Sequence, residues 1–149
     1  MCWGAFCSNG VLELEFISTH MDAVDYQNVL QARLLPFLRR NRRRCYKFQQ
    51  DNASVHTFHS TMQWFSSKKI QVISWPSCSP DLNPIENIWG VLPRRIYANN
   101  TQYATMNDLK KAIVDAWDNL EQSLIDKLIS SMPDRLIEVA SKKGGPTHY

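Results

Sequence analysis

An α/β domain is predicted for this chain, on three observations. β-friendly, alternating segments fill most of the first half, helical periodicity fills the second, and no repeat or linker-like stretch interrupts the 149 residues. That length suits one domain, since a chain of this size buries roughly 70% of its unfolded surface. A hydrophobic content of 44% excludes disorder, and five Gly with seven Pro exclude collagen-like and low-complexity classes. No apolar run nears the roughly 20 residues that cross a bilayer. The opening Met1-Cys2-Trp3-Gly4 lacks the basic start of a signal peptide, so a soluble, intracellular chain without a membrane partner is expected.

The elements follow in order. Residues 1–7 are apolar and β-friendly, Ser8-Asn9-Gly10 is a turn signal, and Val11 to Ile17 alternates with period two, which together predict a hairpin. Asp22 to Leu38 predicts a helix with Val24, Asn28, Leu30, Leu34, Leu35 and Leu38 at mostly helical spacing. Cys45–Gln50 reads as a strand ending at Asp51-Asn52, and His56–Ser66 as a short amphipathic helix. Ile70–Trp75 reads as another strand, stopped by Pro76. After a loop from Pro76 to Leu82, Asn83-Pro84-Ile85-Glu86 combines an N-cap residue, a proline at the first helical position and a glutamate three after the cap. Thr105 to Asp108 opens a second helical run, through Leu109, Ile113, Trp117, Leu120, Leu124 and Leu128, and a last helix follows Pro133 and ends before Gly144-Gly145. Trp64, Trp75, Trp89 and Trp117 sit in apolar patterns and are expected in the core.

Seventeen basic against fourteen acidic residues give a net charge of only +3, too little to establish a nucleic-acid partner. The distribution is more informative, because Arg39, Arg40, Arg42, Arg43 and Arg44 fall within six positions, with Lys47 close behind. They read either as phosphate contacts or as a solvated helix end, with the second preferred. Cys2, Cys7, Cys45 and Cys78 lack paired spacing and are expected as reduced thiols. His56 and His59 could make half a zinc site, but no cysteine pair accompanies them.

The most specific pattern is Gln50-Asp51-Asn52-Ala53 with, later, Ser79-Pro80-Asp81-Leu82-Asn83-Pro84-Ile85-Glu86-Asn87-Ile88-Trp89, which leaves 34 residues between Asp51 and Glu86. Alone, Glu86 reads as a capping-box residue and Asp51-Asn52 as a turn. Together, with His56 in step and with Trp3-Gly4 and Gly144-Gly145-Pro146-Thr147-His148-Tyr149 at the ends, they resemble the mariner superfamily (Tc-type) of DDE transposases over nearly the whole chain. Asp51 matches that family's second catalytic acid and Glu86 its third. The resemblance implies a ribonuclease H-like, retroviral integrase-type mixed sheet with flanking helices. It also implies cleavage and strand transfer of DNA with two Mg²⁺ (or Mn²⁺) ions, which carboxylates suit as hard oxygen ligands. Asn52 and His56 become candidates to support the acids, although His56 could equally face DNA or pack. Asp81 reads as a loop residue making turn hydrogen bonds.

The family's first Asp has no counterpart. Glu13 and Glu15 alternate on a hairpin strand, and Asp22 and Asp25 open a helix. Residues 1–149 are therefore expected to be a partial DDE catalytic domain that lacks the first, central strand and the DNA-binding domains. Its metal site is expected to be weak or incomplete, and the chain inactive alone. The implied partners are DNA and a second copy or a full-length transposase, with no small-molecule substrate, and the implied location is the nucleus. The alternative is a non-catalytic, domesticated module that binds DNA or a transposase partner through the arginine run.

Overall fold

Four two-residue strands form in the first seventeen residues: β1 (Cys2–Trp3), β2 (Phe6–Cys7), β3 (Gly10–Val11) and β4 (Glu15–Phe16). β2 and β3 pair antiparallel around Ser8-Asn9, and Gly10 follows with a φ of 119° that a side chain would resist. β1 pairs antiparallel with β4. Two short ladders thus stand where the alternation predicts a continuous hairpin. The computed structural model describes residues 1–17, 20–76 and 79–149. Ser77 and Cys78, read from the sequence as loop and reduced thiol, lie outside the described residues; Cys7 and Cys45 are free thiols.

The described residues divide into two units. The first comprises Met1–Gly4 and Glu15–Ser79. Asp22 caps its leading helix: Oδ1 accepts from Val24 N at 2.7 Å and Asp25 N at 2.8 Å, and Asp25 accepts in return from Asp22 N. Helix α1 (Ala23–Val29) runs through a π-helical stretch, Leu30–Leu34, into α2 (Leu35–Arg40). The π stretch has a local cause. Pro36 has no N–H to offer and its ring crowds the preceding turn, so the helix widens just before it, with Leu35 N–H reaching back to Leu30 O. The buried stripe is Tyr26, Leu30 and Leu34, with Leu35 beside it, whereas Val24 and Asn28, predicted on that face, are exposed.

The predicted His56–Ser66 helix is two pieces, α3 (Ser54–Thr57) and α4 (His59–Ser67), separated by Phe58 at an extended ψ of 142°. α1 packs against both. The predicted strands Cys45–Gln50 and Ile70–Trp75 contract to one parallel bridge, Phe48 opposite Val72, with Phe48 N donating to Gln71 O and Ile73 N to Phe48 O. A parallel pair lengthens when neighbours flank it on both sides, and no third segment pairs with either among the described residues.

The second unit comprises Ala5–Leu14 and Pro80–Tyr149. A 3₁₀ turn at Pro80–Leu82 leads into α5 (Pro84–Ile96), then α6 (Met106–Asp118), α7 (Gln122–Ser130) and α8 (Met132–Ser141). Thr105 caps α6 as predicted, its Oγ1 accepting from Asp108 N at 3.1 Å. The run predicted as continuous from Leu109 to Leu128 is broken at Asn119, so α6 and α7 are separate. Pro84, Ile88, Leu92 and Ile96, spaced by four, form the buried stripe of α5, which packs on α6 and α7. Trp117, fully buried, stacks on Trp89 at 5.3 Å and donates its Nε1–H to Leu12 O at 2.7 Å. No helix among the described residues is long and apolar enough to cross a membrane.

Candidate functional site

Asp51 leaves the bridged segment one residue after Gln50, whose side chain is buried. Buried amides need partners, and Gln50 has two: Tyr26 Oη donates to its Oε1 at 2.7 Å, and its Nε2 donates to His56 O at 3.1 Å. Burial, reinforced by the nearby charge of Asp51, pushes the Tyr26 phenol well above its ordinary range, so Tyr26 remains a donor. The carboxylate of Asp51 is half exposed, at 53%. Its Oδ1 accepts from Ala53 N at 2.9 Å and meets His56 Nδ1 at 2.5 Å. The His56 ring in turn lies 4.2 Å from that of Tyr26. His56 therefore both packs and orients the acid. Asn52 works on the backbone instead, its Nδ2 donating to Trp75 O at 2.8 Å and tying the loop to the neighbouring segment.

Glu86 lies in the first turn of α5, exposed, where the helix dipole favours negative charge. The capping box predicted from Asn83 and Glu86 is not formed: the Asn83 side chain makes no cap bond, and its N–H donates to Pro80 O at 3.0 Å. The helix start is instead secured by that 3₁₀ turn and by Pro84. Asp81 makes the turn bonds expected of it and more. Oδ1 accepts from Leu82 N at 3.1 Å and Oδ2 from Thr147 N at 3.0 Å, and the Thr147 N–H holds the carboxyl below its ordinary range.

Asp51 belongs to the first unit and Glu86 to the second. Among the described residues, no group of three His, Cys, Asp or Glu side chains is gathered as a metal site. The earlier acids have structural partners: Glu15 pairs with Arg33 at 2.6 Å, and Asp22 and Asp25 cap α1. Arg39, Arg40, Arg42, Arg43 and Arg44 are all exposed, at the end of α2 and in the turn beyond it, where Asn41 Nδ2 closes the helix on Phe37 O at 2.9 Å.

Sequence reasoning missed two buried residues near the motif segments, Tyr26, which bonds Gln50, and Arg135, which bonds Asp81 and Asn87. Tyr26 is signalled by the row Tyr26, Leu30, Leu34, spaced by four. Arg135, buried on α8, carries no local signal at all.

A family model described as DDE superfamily endonuclease matches residues 1–110. The chain is 47% identical over 149 residues to the Tc3 transposase of Caenorhabditis elegans, covering 100% of this chain and 45% of that protein. It is 39% identical over 152 residues to the Tc1 transposase of the same organism, covering 54% of it. The chain thus spans about half the length of the curated relatives it matches. Among solved structures, the Mos1 transposase catalytic domain with Raltegravir and Mn superposes with a TM-score of 0.86 at 19% identity, over 99% of this chain and 76% of that one. The Mos1 transposase paired-end complex with left transposon end matches with a TM-score of 0.86 at 19% identity, over 97% of this chain and 44% of that one.

Proposed function

The chain belongs to the DDE superfamily of endonucleases, in its mariner and Tc-type transposase branch, and from that premise we propose that it is part of the catalytic domain of an enzyme that cuts transposon DNA and joins it elsewhere. Its fold is the ribonuclease H-like one of the Mos1 catalytic domain. Asp51 and Glu86 are the metal-binding acids, DNA is the substrate, and the place of action is the nucleus. The observation that carries this reading is the pair of exposed carboxylates in the matching motif, one steered by His56 and the other seated on a packed helix.

The residues fit a divalent cation in donor chemistry. Mg²⁺ is commonly held by one or two carboxylates, with water and phosphate oxygens completing its shell. The bonds to Asp51 from Ala53 and His56 both fall on Oδ1, so Oδ2 is the oxygen it would offer. When bound, such ions activate the attacking oxygen and stabilise the leaving one. His56 and Ala53 N–H fix the direction of Asp51, and the stripe Pro84, Ile88, Leu92 and Ile96 fixes the face of α5 from which Glu86 projects. Mn in the Mos1 structure supports the same class of metal here.

With two of the family's three acids, the 149-residue chain alone is expected to cleave nothing. Joining it to an N-terminal segment that carries a strand-borne Asp should restore Mn²⁺-dependent nicking and joining of labelled duplex DNA. Asp51→Asn or Glu86→Gln should abolish it again. Rescue that survives either substitution would overturn that residue's assignment. The exposed arginines 39, 40 and 42–44 favour a second reading, a non-catalytic module that binds DNA or another transposase copy. DNA binding by the joined protein with no cleavage under any divalent metal would select it.

A further inference from the structure

The segment that carries Glu86 also carries Asp81 and Asn87, and one side chain from far along the chain holds both of these. Arg135 on α8 is only 1% exposed. Its Nη1 donates to Asp81 O at 2.7 Å and to Asn87 Oδ1 at 3.0 Å, while its Nε donates to Ser131 Oγ at 2.9 Å. The ring of Tyr149 lies 4.5 Å from the centre of the guanidinium, in cation–π contact. Burying a guanidinium is unfavourable unless its donors are met, and its rigid fork then fixes the geometry of whatever meets them.

That geometry bears on Glu86. Successive side chains on an α-helix point about 100° apart, at 3.6 residues per turn. Asn87 is turned to Arg135, and Pro84 and Ile88 are turned into the core, which leaves Glu86 exposed in this turn. Asp81, just ahead of the helix, is held at its carbonyl by Arg135 and at its carboxylate by Thr147 N–H. We infer that Arg135 is a positioning residue for Glu86: by pinning Asp81 and Asn87 it sets the start and rotation of α5, and so the direction of the Glu86 carboxylate. This role rests on Glu86 being a metal ligand.

The test is amide exchange and Mn²⁺ affinity, measured on the 149-residue chain as wild type, Arg135→Lys, Asn87→Ala and Glu86→Gln. Lysine keeps the charge and loses the fork. Removing a hydrogen bond that pins a local segment should speed exchange of the Glu86, Asn87 and Ile88 amides about tenfold in Arg135→Lys and Asn87→Ala, with α6 and α7 within about twofold of wild type. Both variants should also weaken Mn²⁺ binding, while Glu86→Gln weakens it without changing exchange. Exchange that is unchanged in the first turn of α5, or that rises equally through α6 and α7, would overturn the positioning role. Should Arg135→Lys fail to fold, Asn87→Ala, which alters a half-buried side chain, decides the matter alone. Unchanged Mn²⁺ binding in Glu86→Gln would overturn the metal role of Glu86, independently of the exchange result.

Discussion

The first unit holds its acid with polar contacts, whereas the second holds its acid with a packed helix. Asp51 follows a segment bridged, among the described residues, at Phe48, and owes its direction to His56, whose carbonyl accepts from Gln50, itself bonded to Tyr26, and whose ring meets its Oδ1. Glu86 stands on a thirteen-residue helix whose stripe is buried and whose first turn is pinned by a buried arginine. An exposed loop acid can be adjusted by local hydrogen bonds, because little else determines where it points. A helical acid inherits its direction from tertiary packing. The two should therefore fail in different ways.

The largest effect is expected where packing carries the load. Trp117→Ala removes the stack on Trp89 and the bond to Leu12 O, and should cost about 3–5 kcal/mol of stability, as large aromatic truncations do. Thermal unfolding would show it, and a loss below about 1 kcal/mol would mean the second unit is not organised around that residue. Tyr26→Phe is the matching test of the polar route. It leaves Gln50 Oε1 buried without its donor, for a cost of about 1–3 kcal/mol, and should broaden or shift the His56 ring signals in NMR spectra. Unperturbed His56 signals would break the proposed chain from Tyr26 to Asp51.

A smaller effect concerns the C-terminal tail. Glu138 accepts from Lys142 Nζ at 2.6 Å and also binds His148, through its backbone N–H and its ring. Chiefly through Lys142, and then His148, its carboxyl is lowered from 4.5 to about 2. A folded value below the unfolded one means stability that is present above 4.5 and lost as pH falls toward about 2. The Thr147 and His148 amide signals should therefore move toward unfolded positions across that window, ahead of those around Trp117. Tail signals that hold down to pH 2 would contradict this.

The smallest effect per residue belongs to the arginine run, whose exposed charges at a helix end and in the turn beyond it suit phosphates. Its DNA binding should lack sequence preference, with log affinity falling linearly in log salt. Each arginine that contacts a phosphate should flatten that slope by about 0.9 when neutralised. A clear preference for one duplex at fixed salt would sink this.

Helix starts were legible in the sequence because their causes are local. Thr105 with Asp108, and Pro84 after Asn83, act within a turn, although the cap at Asn83 proved to be made by backbone. Strand lengths were not, since a strand needs a partner that its own alternation cannot supply: Cys45–Gln50 looks like a strand and, among the described residues, is paired at Phe48 alone. The motif acids were legible as chemistry, from residue type and spacing. Their supports were legible only in part. His56 sits five residues from Asp51 and was in view, whereas Arg135 acts on Asp81 and Asn87 across 54 and 48 positions. Val24 and Asn28 contribute to the periodicity that predicts α1 yet are exposed, because the buried face follows the i, i+4 row Tyr26, Leu30, Leu34.

The claim that Asp51 and Glu86 are the metal-binding acids is tested most directly by Mn²⁺ titration of the 149-residue chain, followed by electron paramagnetic resonance. The account predicts one weak site in the wild type. Affinity should fall at least about tenfold in both Asp51→Asn and Glu86→Gln, as when a ligand or its support is lost from a metal site. Affinity unchanged by either substitution would contradict it.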